Sequence, residues 1–573
     1  MEDASLEGMS TKKLLELLDS ARHDYGRAAA SQKLGLLRAL GTRQIRQAAL
    51  LKKYHEALCF LQAYPDSREL LALVDDALDG FAGLVEDVNR HTTARNRKQL
   101  DDTGIAGTSI HYPFSYGTAE WLARRFPHDV SVDWDEFEKE DKLLVLLAQF
   151  VAYLENEAID DQELETRRWL TLGQKGKTDL TALLQVLDGS GLRQQVRDAL
   201  YEQLDLPLCW QLRSRSASRT TARIRPAEVF YQTRPLSRRK EGVARLIKKP
   251  LTGVCRPGRS EAERLIDASR AALGVRLREI FPLLYANPQD AWAVDVGRGV
   301  RIVLIGMRPA RRMPLECTYF FLLLRNGVPL GYGCGSTFAD RCEVAANVFD
   351  SFRGGESAFI YAQVLRAFYH VFGATSFLLD KSQIGSDGGE GIKSGAFWFY
   401  HKMGFRPVAE EAARLAEGEV VRMQQDRRYR SPAAVLRRLA QSDMMLNLGR
   451  TEPAAGRIRL GNIGRLVTAA VGSDYGGRRT AAVRSAMDKL ARVLPLRPLG
   501  RFTRDELEAI RRFSPLVAQI PDLNAWTPGQ KADVVSLMAA KGSASEVPYA
   551  RQFARHTRFL KALAALSERG GAL

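Results

Sequence analysis

The strongest constraint in this chain is a change of hydrophobic period near residue 287. Ahead of it, apolar residues recur three and four positions apart, the spacing that gathers them on one side of an α-helix. KKLLELLDSA, IRQAALLKKYHEALCFLQAY, RELLALVDDALDGFAGLVEDV and DKLLVLLAQFVAYLENEA all read this way. After it come WAVDVG, VRIVLIGM, TYFFLLLR, LGYGCGSTF and EVAANVFDSF. These runs are short, rich in β-branched and aromatic side chains, and bounded by turn residues, which predicts strands. Asn326-Gly327 between two of them is a hairpin signal, because both residues tolerate positive φ.

The period then alternates. A helix is predicted from about 356 to 372, followed by a strand over TSFLLD, a helix over SGAFWFYHKM and a short strand over FRPV. After residue 409 the helical spacing returns, as in TAAVRSAMDKLARVL and RDELEAIRRF. The expected organisation has four parts. Residues 1–212 form an α-helical region, 213–258 a basic Arg/Ser-rich arm, 259–430 an α+β domain, and 431–573 a second helical region. Pro65-Asp66-Ser67 reads as a break between two helices, with Asp66 or Ser67 as the N-cap.

Charge singles out the arm. The chain carries a formal +17, and residues 213–259 hold fourteen Arg/Lys against two acids, Glu228 and Glu241. Such an excess favours acidic partners: nucleic acid, phosphates or an anionic surface. The plain alternative is a solvated basic linker. With 45% hydrophobic and 26% charged residues, the rest is ordinary globular composition. No apolar run reaches the roughly 18 residues of a membrane span. MEDASLEGMSTKKLLELL lacks the basic start and apolar run of a secretory signal. The six cysteines are scattered without a C-x-x-C pair, so a reducing cytoplasm is the expected setting. The histidines form no ligand-spaced cluster, so no metal is expected. Gly173 to Thr178 ends like a phosphate-binding Walker loop, but its first glycine would fall on Thr171 and no strand precedes it.

One stretch carries chemistry. Ala396-Phe397-Trp398-Phe399-Tyr400-His401-Lys402-Met403-Gly404-Phe405 resembles the late signature of the GNAT acetyltransferase superfamily, A-x-x-F-Y-x-K-x-G-F. Meander, helix, strand, helix, strand is also the element order of that fold. The resemblance covers residues 292–408, about a fifth of the chain. It implies a GNAT-like mixed sheet with flanking helices, embedded between largely α-helical N- and C-terminal regions. The implied co-substrate is acetyl-CoA or another acyl-CoA, with its arm in a splayed gap between neighbouring strands, and the acceptor is an amine of unknown identity.

Family members bind the pyrophosphate with a Q/R-x-x-G-x-G/A loop before a helix N-terminus. Here Phe349 precedes Arg353-Gly354-Gly355-Glu356-Ser357-Ala358 at that place, with Glu356 where glycine is expected. By resemblance, Phe349, Arg353, Gly354, Gly355, Ser357, Ala358 and Ala396 bind the co-substrate. Lys393 stands where the family often has Asn, and lysine is suited to a CoA phosphate. Tyr400 would protonate the departing thiolate, and Glu343 would deprotonate the amine. The glycine-rich segment 381–391 is longer than usual there. Two other readings stay open: an aminoacyl-tRNA-dependent transferase on the same fold, and a non-catalytic polyanion-binding protein whose CoA site has degenerated.

Overall fold

A computed structural model describes the chain apart from residues 1–3, 92, 161–164, 173–177, 238–241 and 450–453. Most of the rejected Walker-like stretch, and Arg238, Arg239, Lys240 and Glu241 of the arm, therefore lie outside the described residues. The protein is α+β, with a mixed sheet and many helices. It divides into two compact units. One comprises Met1–Pro235, Glu263–Leu284 and Arg325–Pro329; the other comprises Leu236–Ala262, Tyr285–Leu324 and Leu330–Leu573.

The first unit begins with the helices that the 3.6-residue period predicts: Thr11–Ala21, Arg27–Gly41, Ala48–Ala63 and Arg68–Asp79. Ser67 caps the last of these by accepting the Leu70 N–H at 3.1 Å. Asp66 instead pairs with buried Lys33 at 2.7 Å, and the ammonium also lies over the Tyr25 ring. Against the all-helical expectation for 1–212, Leu208–Gln211 runs between Ser109–Tyr112 and Val130–Val132, antiparallel to both. These strands have three or four residues, too few to show a period of two. Packing creates them, around Trp210, Trp121, Phe114 and Phe126.

The residues read as one arm divide between the units at 235. In the first unit, Arg215 pairs with Asp79, Arg219 with Glu56, and Arg223 grips Asp75 through two parallel 2.8 Å bonds. That unit also takes in the predicted hairpin turn, where Asn326 and Gly327 have φ of 47° and 78°. Asn326 donates to the carbonyls of Ala63 and Phe230, both at 3.0 Å. The fully buried Arg325 donates to Gln232 at 2.6 Å.

The second unit is built on a nine-stranded sheet. Its strands are β1 (Gly253–Cys255), β2 (Ala286–Gly297), β3 (Val300–Met307), β4 (Cys317–Arg325), β5 (Val328–Phe338), β6 (Arg341–Val348), β7 (Ser376–Leu379), β8 (Arg406–Pro407) and β9 (Met444–Asn447). The spatial order is β8-β9-β7-β6-β5-β4-β3-β2-β1. β6 and β7 run parallel, while β9 runs antiparallel to both of its neighbours. β4 is buried along its whole length, which explains why CTYFFLLLR is apolar without alternation.

Two of these strands escape sequence reading. β1 lies in the arm, and β9 lies in a region whose surroundings are helical in period. Four helices matter for the site: α1 (Val243–Lys248), α2 (Ser357–Phe372), α3 (Ala396–Lys402) and α4 (Glu410–Gln425). α1 packs along α2, and Arg366 and His370 of α2 bond the Lys249 carbonyl at 2.8 and 2.9 Å.

The C-terminal helices of this unit include α5 (Leu460–Tyr475), α6 (Arg479–Val493), α7 (Arg504–Val517) and α8 (Thr557–Gly571). A buried polar cluster ties residues 541–546 to the sheet. Asp290 on β2 accepts from the Tyr319 hydroxyl at 2.6 Å, Arg312 at 3.3 Å and the Glu546 N–H at 3.0 Å. Arg312 also donates to the carbonyls of Lys541 and Ser543, and Glu546 pairs with Lys541. Among the described residues no helix is long and apolar enough to cross a membrane.

Candidate functional site

β6 and β7 pair over three positions only, Arg341 with Ser376, Cys342 with Phe377 and Glu343 with Leu378. β6 then continues with β5 as far as Val348, without β7. β7 ends one residue later, at Leu379, so beyond Glu343 the side of β6 away from β5 has no paired strand, which leaves a gap there. The Phe349 N–H bonds the Leu330 carbonyl at 2.9 Å. By the alternation of an antiparallel ladder, the backbone of Val344, Ala346 and Val348 faces away from β5, toward the gap. Tyr361 on α2 confirms this side: its hydroxyl lies 3.5 Å from the Val344 carbonyl.

Tyr400 on α3 meets Tyr361 edge to face, with ring centroids 5.3 Å apart, and also contacts Phe399 and Phe405. Burial in this aromatic group pushes the Tyr400 phenol up to about 12. Its hydroxyl forms no hydrogen bond among the described residues. α3 is framed by glycines in positive φ, Gly395 at 65° before it and Gly404 at 106° after it. The second ends the helix, as its place in the motif predicts.

A buried carboxylate that the sequence did not reveal orients this helix. Trp398 donates from its indole to Ser431 at 3.1 Å, and Ser431 donates to Glu419 of α4 at 2.5 Å. Tyr429 donates to the same carboxylate at 3.0 Å. Glu419 stands in a run of charged and small residues, where nothing marks it as the one that turns inward.

Between β6 and α2, Phe349 is buried, with its ring 5.7 Å from that of Tyr332. A 3₁₀ turn follows over Asp350–Phe352, then Arg353, then Gly354 at φ 84° and buried Gly355. The Gly355 N–H is taken by the Phe352 carbonyl at 3.2 Å, so it is not a free donor. The donors that remain are those of Ser357, Ala358 and Phe359, which have no partner among the described residues. They are the uncapped first turn of a sixteen-residue helix.

Glu356, at the position where glycine is expected, turns neither to the start of α2 nor to solvent. Its side chain is buried, accepts the Ser237 N–H at 2.9 Å and pairs with Arg298, whose guanidinium lies over the Phe359 ring. Its charge is thereby engaged by Arg298, and it does not cap α2.

The remaining candidate residues are more dispersed. Arg353 is half exposed and engaged by Asp350 and by Glu390, each at 2.9 Å. Glu390 belongs to a short helix, Gly389–Ser394, so the glycine-rich segment is ordered against the loop. Lys393 on that helix is exposed, and Ala396 begins α3 half-buried. Glu343 is exposed on the face of β6 opposite Val344. Partial desolvation, then Asp380 and Glu316, push its carboxyl above the ordinary value, with Arg341 opposing and Asp443 adding.

The structure therefore brings together Phe349, Arg353, Gly354, Gly355, Ser357 and Ala358 around one loop and helix start, and Tyr400 with Tyr361 beside β6. It records no contact between Glu343 and Tyr400. No group of three or more metal-ligand side chains converges among the described residues. No family model, no curated protein and no solved structure matches this chain.

Proposed function

We propose that the second unit is a GNAT-like N-acyltransferase that uses acetyl-CoA or another acyl-CoA. The observation that carries this reading is the β6–β7 pair, parallel for three residues until β7 ends and β6 runs on without it, with Tyr400 packed on Tyr361 beside β6. A strand that runs on past its parallel neighbour leaves main-chain polar groups unpaired inside a sheet, which is costly unless something occupies them. An extended amide-bearing arm such as pantetheine fits that need. The uncapped start of α2, after Gly354 and Gly355, is a fitting place for the pyrophosphate.

In this reading the acceptor amine attacks the thioester carbonyl directly. The new N–C bond forms as the C–S bond breaks. A backbone N–H of β6, from Ala346 or Val348, supports the carbonyl oxygen as it gains charge. The amine proton goes to Glu343 or to water, and the thiolate takes its proton from Tyr400. Glu356 at the family's glycine position favours the rival reading of a degenerate, non-catalytic site. Its pairing with Arg298 counts against that rival, because the helix donors are left open.

A thermal-shift series with acetyl-CoA, longer acyl-CoAs and free CoA tests the proposal. Ligand at 100 times its Kd should stabilise the protein by about 2.7 kcal/mol. No shift with any of them, and no CoA in the purified protein by mass spectrometry, would remove CoA from the function. Copurified aminoacyl-tRNA would instead support a tRNA-borne donor.

A further inference from the structure

We infer that the helical hairpin α5–α6 and the segment leading into α7 form a nucleic-acid-binding surface, distinct from the basic arm and independent of the acyltransferase reading. Between residues 459 and 504 stand ten basic side chains, nine of them Arg, against two acids, Asp474 and Asp488. All ten are exposed: Arg459, Arg465, Arg478, Arg479, Arg484, Lys489, Arg492, Arg497, Arg501 and Arg504. None of them forms an ion pair among the described residues. The arm differs on this point, since Arg215, Arg219 and Arg223 are spent on Asp79, Glu56 and Asp75.

α6 shows how the fold presents this charge. Ala482, Ala486 and Leu490 are its buried stripe. Arg484 and Arg492 sit two positions further on, which at 100° per residue places them on the opposite, outward face. They are eight residues apart, about 12 Å along the axis, with exposed Asp488 between them on the same face, so each arginine would reach its own phosphate, the two separated by three to four charges at about 3.4 Å each. Arg478 and Arg479 stand at the start of the same helix, after the Gly476-Gly477 turn.

Three features favour a nucleic acid over other polyanions. The set is almost wholly arginine, whose planar fork matches phosphate oxygens in pairs. A membrane-seated basic helix needs bulky apolar side chains to insert. Among residues 459–504 only Leu499 is an exposed large hydrophobic residue, and it lies outside α6. An acidic protein partner would bury apolar surface at the centre of its contact, and α6 offers none outward.

The test is fluorescence anisotropy of the full chain with 20-mer duplex DNA, duplex RNA and single strands across a salt series. Anionic vesicles and polyglutamate are run in parallel. The wild type should bind a nucleic acid with a steep salt dependence. Arg478→Gln/Arg484→Gln/Arg492→Gln should lower the slope by about 2.7 and weaken binding roughly 500-fold near 0.1 M salt, taking 0.9 per contact on duplex DNA. The corresponding triple Lys variant keeps the charge and should recover most of the slope, which separates lost contacts from a damaged fold. Arg215→Gln in the arm, which removes an arginine already paired with Asp79, should bind like wild type. Absence of nucleic-acid binding at about 50 mM salt, equal binding by the Gln variant, loss only in the arm variant, or stronger binding to vesicles or polyglutamate would each overturn the inference.

Discussion

Tyr400 combines a packed ring with an unengaged oxygen among the described residues. Its ring is packed against Tyr361 and Phe405, so a packing role is present whatever its chemistry. Its hydroxyl has no hydrogen-bond partner among the described residues, so packing does not explain the oxygen. Tyr400→Phe keeps the ring and is expected to lower turnover by about 10²–10⁴ with CoA affinity nearly unchanged. Rate and CoA binding must be measured together; a near-normal rate with normal binding would remove Tyr400 from the mechanism.

Glu343 links stability to pH. Its carboxyl is raised in the fold, so the folded chain holds this proton more tightly than the unfolded chain does. Its contribution is complete below the unfolded value, about 4.3, and is lost as pH rises through the raised one. Glu343→Gln should flatten that segment of the stability–pH curve, read by urea denaturation at successive pH values. Arg298 bears on the loop. Removing it takes the Arg298 guanidinium away from the buried Glu356 carboxylate. Because Arg298 is about one-third exposed, the low end of the usual cost applies, and Arg298→Ala should lose about 2–3 kcal/mol in denaturant unfolding.

At the scale of elements, the two decisive turns are both written with glycine. Gly404 has φ 106°, outside the range a side-chain-bearing residue adopts easily. Gly404→Ala should cost about 1–3 kcal/mol and disturb the end of α3. Calorimetry would read the loss of stability, and a change in the emission of Trp398 would read the helix. Gly327 is a stricter case. A Cβ there would fall 1.7 Å from the Ile224 carbonyl oxygen, so Gly327→Ala must move the backbone of the first unit. α3 is too short to hold its place by its own hydrogen bonds, and the Trp398–Ser431–Glu419 chain supplies the missing constraint.

At the scale of the molecule, the second unit does not end where the family resemblance ends. β9 lies between β7 and β8, and the Asp290–Arg312–Glu546–Lys541 cluster fastens residues 541–546 to the sheet. A fragment of residues 259–430 lacks both. It is expected to give insoluble protein or no cooperative unfolding transition, whereas a fragment that folds cooperatively would show that the C-terminal helices are an addition. Within the full chain, Glu546→Ala leaves Arg312 and Lys541 buried without their shared carboxylate. A loss of about 3–5 kcal/mol is expected in guanidinium unfolding.

Local rules were enough for much of this fold. The change of period near residue 287, the Asn326-Gly327 turn, the helix Ser357–Phe372 and the glycine stop at 404 follow from residue-by-residue geometry, which any chain with these residues must obey. The alanine-to-phenylalanine run 396–405 likewise marked the helix that carries Tyr400. Other outcomes depended on partners distant in sequence. β1, β9 and the three short strands of the first unit have too few residues to carry a period, so only pairing with their neighbours makes them strands. The basic arm looked uniform in composition, yet Asp75, Asp79 and Glu56 decide which of its arginines are neutralised. Glu356 and Glu419 are ordinary surface carboxylates by sequence. They are buried because Arg298 in one case, and Tyr429 and Ser431 in the other, meet their desolvation cost, and such compensation is visible only once the chain has folded.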